Sequence, residues 1–396
     1  MGNESTTTNA RKMMLDYAYM TGLIEPVVSP GRYLWTDAFA VCNFLGDYTR
    51  TNDENSLNLA IRLVNQVHNT LGRHRDDDPR SGWISGLDEE QGPLHPTIGG
   101  LRIGKPLKER RRDEITDDYL EWDSDGQYYH YLTKWMYALY RVSSVTGDHK
   151  YTLWAIELAG TAHAAFSYIP PSGGKKRMYW KMSIDLSYPL VFSMGMHDPL
   201  DGLITYNELQ TMIRENQDTY TGPGLCQEIS DMESVCRGII PATDDPLGIG
   251  GLMFDSFRLA RLVRKGNRQY EELLINVLNS ALAGLYAFVK SGALHFPAGN
   301  RIPFREIGLS IGFKAIEAIH ELLGEDSALF SGKTRIKHQI ESFTKYAPLA
   351  CEIENYWMTE RNRNAATWVQ HREINMVMLA TSLDPGGLLG NGGGPE

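Results

Sequence analysis

The sequence predicts an all-α protein, an (α/α)6 toroid of about twelve helices in six hairpins with long loops on one face. Two observations lead to this expectation. Polar turns containing Gly, Asp or Asn recur between helical stretches, at 46–53, 145–151, 264–270 and 323–326. Long segments rich in Gly, Pro, Trp, His and carboxylates separate one hairpin from the next. In a helical array of this kind, the end that carries the long loops usually carries the function.

The expected helices alternate between two types. The second helix of a hairpin has one apolar stripe and a polar back, which predicts an outer layer. The first helix has two occupied faces, as in 126–146, which predicts burial on both sides. Glycines in the helix 247–265 predict a close approach between helices. The predicted helices are 11–22, 34–50, 54–73, 126–146, 148–168, 200–216, 225–237, 247–265, 268–290, 306–323, 332–358 and 365–382.

We expect one domain over residues 1–385 and a flexible, Gly-rich tail over 386–396. The N-terminal helix would pair with the last one, and the turns near residues 51, 147, 267 and 325 would share one end. The segments 75–125 and 170–200 are the longest connections between hairpins. Connections longer than about 15 residues are usually functional or disordered, so we expect these two to converge over one cavity.

Composition excludes several classes of partner. The chain has 396 residues, 42% hydrophobic content and a net charge of -10. Lys and Arg form no dominant stripe, so no nucleic-acid partner is expected. No apolar run reaches about 18 residues, so no membrane partner is expected. The polar N-terminus and four cysteines without metal-ligand spacing predict a reduced, cytoplasmic protein. Gly2 with Thr6 also fits the short myristoylation pattern, which leaves that modification open.

The long-loop segments combine aromatic residues with carboxylates. Aromatic rings offer flat faces to the C–H faces of sugars, and carboxylates bind hydroxyls or transfer protons. This pairing predicts a site for a small, sugar-like molecule. We expect the ligand to be bound by Trp35, Trp122, Tyr128, His130, Trp180, Lys181, His197 and Arg305.

Two sequence strings fit that layout, Arg32–Asp37 (RYLWTD) and Glu121–Gln127 (EWDSDGQ). In architecture, the chain resembles the six-hairpin glycosidase superfamily and its neighbours, the N-acylglucosamine 2-epimerase-like barrels. The resemblance covers most of the chain. It implies an (α/α)6 barrel and chemistry on carbohydrates.

Glycoside cleavage requires two carboxyl groups, one protonated and one ionised. The sequence predicts Asp123 or Asp125 as the general acid/base, with Asp123 favoured, and Asp37 or Asp198 as its partner. Helix capping explains Asp37, Asp123 and Asp198 about equally well, because each lies near a predicted helix start. A glycoside hydrolase is therefore the favoured function.

Five cations in these segments are candidates to hold a carboxylate or phosphate group of the ligand. Pairing with the abundant nearby acids is at least as good an explanation for each of them. They are Arg32, Arg102, Lys105, Lys181 and Arg305.

Three other functions remain open. A sugar epimerase would use His130 and His197 as an acid/base pair. A terpenoid-type cyclase shares the toroidal architecture, and a helical binding protein would need no catalysis at all. No cofactor is expected, because the chain lacks a dinucleotide fingerprint, and the spacing of His197, Asp198 and Asp201 matches no strong metal motif.

Overall fold

The computed structural model describes residues 3–25, 31–115, 117–216, 222–239, 241–325 and 330–390. Helices dominate the described residues, as predicted. These residues fall into two compact units. One contains residues 18–237, and the other contains residues 3–17 together with 238–390. The first helix, α1 (Asn3–Met20), contributes to both. The prediction that residues 1–385 form a single domain stays a prediction.

The unit of residues 18–237 contains six further helices of three turns or more and one short helix. They are α2 (Leu34–Thr51), α3 (Glu54–Leu71), α4 (Asp118–Asp123), α5 (Tyr129–Thr146), α6 (Lys150–Phe166), α7 (Asp198–Glu215) and α8 (Cys226–Cys236). Its short strands are β1 (Gln127–Tyr128), β2 (Ser167–Tyr168), β3 (Arg177–Met178), β4 (Lys181–Met182) and β5 (Pro189–Val191). The strands pair antiparallel in the orders β1-β4-β5 and β2-β3.

Two predicted helical hairpins form in this unit through local turn chemistry. Asn52 ends α2 in the left-handed region with φ 55°, and the Asp53 carboxylate caps α3 by accepting from the Asn55 N–H at 3.1 Å. Gly147, with φ 71°, ends α5 before α6. Asn and Gly adopt positive φ more readily than other residues, and Asp is a preferred N-cap. Helix α5 packs against α2, α6 and α7, which buries it on several sides as its two occupied faces predict.

The two longest connections contact each other, and their convergence over one cavity stays a prediction. The Arg80 guanidinium lies 2.7 Å from the Asp185 carboxylate. Arg110 donates to the Leu190 carbonyl at 3.1 Å, and the Tyr188 hydroxyl donates to the Arg110 carbonyl at 2.7 Å. These contacts fix both connections beside the N-terminus of α5.

The second unit is also helical, and its helices follow the predicted order. They are α9 (Pro246–Arg264), α10 (Glu271–Ser291), α11 (Pro303–Glu325), α12 (Lys333–Thr344), α13 (Pro348–Met358), α14 (Glu360–Arg363), α15 (Ala366–Val369), α16 (Arg372–Leu383) and α17 (Gly386–Leu389). A Cβ at Gly250 of α9 would lie 2.0 Å from the Gly308 carbonyl oxygen of α11. The predicted close approach of glycine-containing helices is therefore confirmed at this crossing.

The structure differs from the sequence expectation at several ends. The predicted helix 332–358 is two helices, because Pro348 starts α13 and cannot continue α12. The predicted helix 365–382 likewise divides into α15 and α16. The first residues of the predicted flexible tail form α17, with Leu388 and Leu389 buried. Residues 391–396 of that tail lie outside the described residues. Of the turn predicted at 323–326, residues 323–325 belong to the last turn of α11, and residue 326 lies outside the described residues.

One segment of the described chain, Arg268–Ser291, is long and apolar enough by composition to cross a membrane. It has a mean hydropathy of 1.5, and 44% of its apolar window is buried inside the protein. Core helices of soluble proteins meet the same criterion. In this structure the segment includes α10, which packs against α9 and α12.

Candidate functional site

Seven rings gather at one place in the unit of residues 18–237. We call them the aromatic cluster. The His130 and Trp180 rings are stacked, with centroids 6.1 Å apart and planes at 16°. Tyr128 lies 5.3 Å from Trp180, and Trp35 lies 5.4 Å from Tyr131. The members are Tyr33, Trp35, Trp122, Tyr128, His130, Tyr131 and Trp180.

The aromatic cluster is assembled from element ends. Trp35 lies in the first turn of α2, and Tyr128 through Tyr131 lead into α5. Trp180 directly precedes β4, and the pairing of β1 with β4 brings it beside Tyr128. Ring pairs at such distances stabilise by about 0.5–1.5 kcal/mol beyond the area they bury. The predicted ligand-binding residues Trp35, Tyr128, His130 and Trp180 are therefore brought together.

Lys181 has a structural explanation. Its side chain is fully buried, and its ammonium group donates to the carbonyls of Glu121 at 2.6 Å and Ser124 at 2.8 Å. It also lies 3.2 Å from the Glu121 carboxylate. Burial lowers the pKa of Lys181, and the charge of Glu121 opposes that effect. These bonds hold the connection after α4 against β4, so Lys181 positions Trp180 and Tyr128.

His130 and Asp198 meet at the edge of the aromatic cluster. His130 lies in the first turn of α5, Asp198 begins α7, and His130 Nδ1 lies 3.8 Å from Asp198 Oδ1. Within the described part of the chain, neither His130 Nδ1 nor the buried Asp198 Oδ2 has a hydrogen-bond partner. Buried polar atoms without a partner are uncommon in native structures and are often found at functional sites.

Burial changes the protonation of both groups. It raises the pKa of Asp198 to about 7, and the negative charge of Asp201 adds to the effect while Lys134 opposes it. Burial lowers the pKa of His130 to about 3, and the positive charge of Lys134 adds to that effect. Near neutral pH the imidazole is therefore uncharged, while the carboxyl is poised between its two forms. A group with that pKa can give or take a proton in a reaction at pH 7.

The surroundings of Asp198 are fixed by the same two helices. Lys134 of α5 lies 2.7 Å from Asp201 of α7, and the Thr133 hydroxyl donates to Asp201 at 2.5 Å. On the other side, a Cβ at Gly195 would lie 2.6 Å from Asp198 Oδ2. The absence of a side chain at Gly195 therefore leaves room for the carboxyl in this orientation. His197 is the half-buried residue that precedes α7.

The other predicted catalytic carboxylates lie in different settings. Asp37 accepts from the Tyr33 N–H at 3.1 Å and lies 3.5 Å from the Arg32 guanidinium. The fully buried Asp125 lies 2.7 Å from Arg102 and 3.3 Å from Arg75. These ion pairs account for Asp37 and Asp125 without a catalytic role.

Asp123 is different, because its side chain is exposed and makes no ion pair among the described residues. It ends α4, whereas the sequence predicts it near the start of the helix 126–146. Burial raises the pKa values of Tyr33 and Tyr128, and the charge of Asp123 contributes to both. Asp123 therefore acts electrostatically on the aromatic cluster.

Two predicted ligand-binding residues lie apart from the packed rings. Trp122 is 54% exposed, and among the described residues its one ring contact within the aromatic cluster is the edge-to-face contact with Trp180, at 5.4 Å. Arg305 belongs to the unit that contains residues 238–390, where its guanidinium lies 2.5 Å from the Asp245 carboxylate. A shared role for Arg305 with the aromatic cluster stays a prediction.

The predicted set of site residues did not include Tyr33, Tyr131 or Lys134. The Tyr33 and Tyr131 hydroxyls are 2.5 Å apart, which joins the start of α2 to the start of α5. Tyr33 belongs to the RYLWTD string, and Tyr131 and Lys134 lie three residues apart in the predicted helix 126–146, so a signal was present for these residues. Among the described residues, no group of three or more His, Cys, Asp or Glu side chains is arranged to hold a metal ion.

Known proteins resemble this chain in structure and not in sequence. No protein-family model matches it, and no curated protein matches it. A crystal structure of a sugar epimerase from a ruminal bacterium matches with a TM-score of 0.51 and 12% identity, over 95% of this chain and 98% of that one. The GH76 α-mannanase from Bacteroides thetaiotaomicron matches with a TM-score of 0.54 and 10% identity, over 98% of both chains.

At these identities the likeness concerns the fold alone. Both matches extend over nearly the full length of either chain, so they concern the whole architecture and not one hairpin. The predicted all-α, (α/α)6 fold is confirmed.

Proposed function

We propose that this protein is a carbohydrate-active enzyme in which Asp198 transfers the proton. The observation that carries the proposal is the meeting of Asp198 with His130 beside the aromatic cluster. A buried carboxyl with a pKa of about 7 and an unpartnered oxygen is suited to general acid/base chemistry. The adjacent rings provide the flat apolar faces that a sugar needs.

The favoured reaction is glycoside hydrolysis. In that reaction a protonated carboxyl assists the leaving group, and a second, ionised carboxylate acts as nucleophile or activates water. Asp198 is the proton donor in this scheme, since its raised pKa keeps part of the population protonated at neutral pH. Asp123 is the second carboxylate, because Asp37 and Asp125 are held in ion pairs.

Sugar epimerisation or isomerisation is the second candidate. The observation that favours it is the 3.8 Å separation between His130 Nδ1 and Asp198 Oδ1. A neutral imidazole and a carboxyl at one point can relay a proton to and from a sugar carbon without a second carboxylate. The two structural neighbours support the broad class and divide between these reactions, since one is a sugar epimerase and the other an α-mannanase.

One pair of assays separates the candidates. The protein is incubated with a panel of aryl glycosides, and release of the phenol reports hydrolysis. In parallel it is incubated with free hexoses and disaccharides in D₂O, where exchange of a carbon-bound hydrogen for deuterium, without cleavage of a glycosidic bond, reports epimerisation or isomerisation. The exposed carboxylate of Asp148, which pairs with Lys150, provides a matched control variant, Asp148→Asn.

The expected result is turnover in one of the two assays by the wild type and by Asp148→Asn, and its loss in Asp198→Asn. Turnover that survives Asp198→Asn would overturn the role of this carboxyl. Absence of turnover in both assays, together with sugar binding, would support the alternative of a non-catalytic binding protein.

A further inference from the structure

Four of the five cations that the sequence offered as ligand-binding groups are already paired. The shortest separations between their side-chain nitrogens and a carboxylate oxygen are 3.5 Å for Arg32–Asp37, 2.7 Å for Arg102–Asp125, 3.2 Å for Lys181–Glu121 and 2.5 Å for Arg305–Asp245. Lys105 is the fifth. Among the described residues, no carboxylate oxygen lies within 4.0 Å of its ammonium nitrogen. Lys105 is therefore the one of these five cations that makes no ion pair within the described part of the chain.

The backbone of Lys105 is fixed although its side-chain charge is not paired. Its N–H donates to Asp125 at 3.3 Å, and its carbonyl accepts from Arg75 at 2.7 Å. The preceding Gly104 has φ +91°, and a Cβ there would lie 2.0 Å from the Arg32 carbonyl oxygen. Lys105 is thus held in place by buried ion-pair partners and a glycine that no other residue replaces without strain.

Lys105 also lines a cavity of about 240 Å³. Four basic residues contribute to its wall, and three of them are the arginines already named in ion pairs. Of the two acidic lining residues, Asp77 is bound by Arg75 at 2.7 Å and Asp76 is exposed. The three arginines are held by Asp37, Asp125 and Asp77, so Lys105 is the basic lining residue that makes no ion pair among the described residues. The lining residues are Gly31, Arg32, Thr70, Leu71, Arg75, Asp76, Asp77, Arg102, Gly104 and Lys105.

A short series of contacts joins this cavity to the proton-transfer site. The Lys105 ammonium lies 5.4 Å from the centre of the Tyr33 ring. The Tyr33 hydroxyl is 2.5 Å from that of Tyr131, and the Tyr131 ring centroid is 4.8 Å from that of His130. A ligand whose ring lies on the aromatic cluster therefore has Lys105 on the side of Tyr33.

We propose that Lys105 binds an anionic substituent, a carboxylate or a phosphate, on the sugar-type ligand of this site. The inference rests on the proposed function and names its substrate class. A half-buried ammonium group without a counter-ion is costly, and a ligand anion removes that cost. Burial lowers the pKa of Lys105, and the charges of Asp123 and Asp125 oppose the effect. An ammonium group binds either anion as a point charge.

The test is calorimetric titration with D-glucuronate, D-glucose 6-phosphate and D-glucose. The variant is Lys105→Met, which keeps the length of the side chain and removes its charge. The matched control is Lys108→Met, because Lys108 is 62% exposed and lies three residues away with Asp77 as its neighbour. Melting curves establish that each variant remains folded.

We expect at least one acidic sugar to bind the wild type and Lys108→Met alike, and more tightly than D-glucose. Lys105→Met should weaken that binding by about tenfold or more, as loss of a charge-assisted hydrogen bond requires. The stronger of the two acidic sugars distinguishes a carboxylate ligand from a phosphate ligand. Equal affinity in Lys105→Met and the wild type overturns the inference, and so does the absence of acidic-sugar binding to the wild type at about 10 mM.

These results are independent of turnover. Asp198→Asn should still bind the acidic sugar more tightly than D-glucose, because the carboxyl at position 198 is not the anion's partner. Loss of turnover in Asp198→Asn with unchanged affinity in Lys105→Met would remove the anion site and leave the proposed function intact. Weaker binding in Lys105→Met, without turnover of any sugar by the wild type, would support the anion site and remove the proposed catalytic function.

Discussion

His130 Nδ1 lies 3.8 Å from Asp198 Oδ1, although 68 positions separate the two residues along the chain. The distance is just beyond a hydrogen bond, and the His130 ring belongs to the aromatic cluster. Among the described residues, neither His130 Nδ1 nor Asp198 Oδ2 has a hydrogen-bond partner. A ligand hydroxyl placed between them would accept from one group and donate to the other.

Asp198→Asn should make the protein more stable at pH 8 and leave its stability nearly unchanged at pH 4. The pKa of Asp198 is about 7 in the folded protein, above its ordinary value of 3.8. The folded state therefore holds a proton that the unfolded chain releases, and stability falls as pH rises from about 4 to about 7. Melting curves at both pH values measure the effect, with a gain of at least about 2 °C expected at pH 8. Equal melting temperatures at pH 8 would contradict the burial of an ionised carboxylate there.

Two substitutions should move the pH dependence of activity in opposite directions. If Asp198 is the proton donor, activity declines on the alkaline side as this carboxyl ionises. Asp201 raises the pKa of Asp198, so Asp201→Asn should shift the decline to lower pH. Lys134 lowers that pKa, so Lys134→Met should shift the decline to higher pH. Profiles of kcat/KM against pH provide the measurement, and shifts of the same sign in both variants would argue against Asp198 as the titrating group.

Gly195→Ala should reduce activity without a large loss of stability. The added Cβ would lie 2.6 Å from Asp198 Oδ2, so the carboxyl must turn away from its present position. A displaced catalytic group costs activity even when the fold is unchanged, here by about tenfold or more. The matched control is Gly160→Ala in α6, where a Cβ meets no atom within 4 Å. That control should gain roughly 0.5–1 kcal/mol of stability and keep full activity.

Asp125→Asn should destabilise the protein strongly. Asp125 is fully buried and joins Arg102, Arg75 and the Gly104 N–H. Removing one partner of a buried ion pair costs about 3–5 kcal/mol, because the remaining charge stays buried. Thermal melting should show a decrease of at least about 5 °C. A variant that melts like the wild type and has lost all turnover would instead restore the sequence-based prediction that Asp125 is catalytic.

Most helices could be predicted from the sequence because their signals are local. The apolar stripe of 54–73 and the turn at Gly147 gave α3 and α5 to within a few residues. The short helix α4 was not predicted, because its six residues are too few for a periodic pattern. The break before α13 had a signal in Pro348 that the periodicity of the flanking residues concealed.

The residue types of the candidate site could be predicted from the sequence, but the role of each residue could not. Aromatic residues and acids in the long loops indicated Trp35, His130 and Asp198 correctly as residues that lie near one another. The protonation of His130 and Asp198 depends on burial, which arises only when α5 and α7 pack. The sequence alone therefore offers no means to rank Asp198 above Asp125. Lys105 likewise could not be chosen from the sequence among the five candidate cations. The choice depends on ion pairs of the other four, some of which join distant segments.

The most direct test of this account is the turnover of Asp198→Asn compared with Asp37→Asn on the first sugar substrate found for the wild type. Both carboxyls are buried at the start of a helix, but Asp37 is engaged by Arg32 and the Tyr33 N–H. Loss of the general acid should lower kcat by about a hundredfold or more in Asp198→Asn. Folded Asp37→Asn should keep turnover within about tenfold of the wild type. Near-wild-type turnover in Asp198→Asn, with loss in Asp37→Asn, would contradict the account.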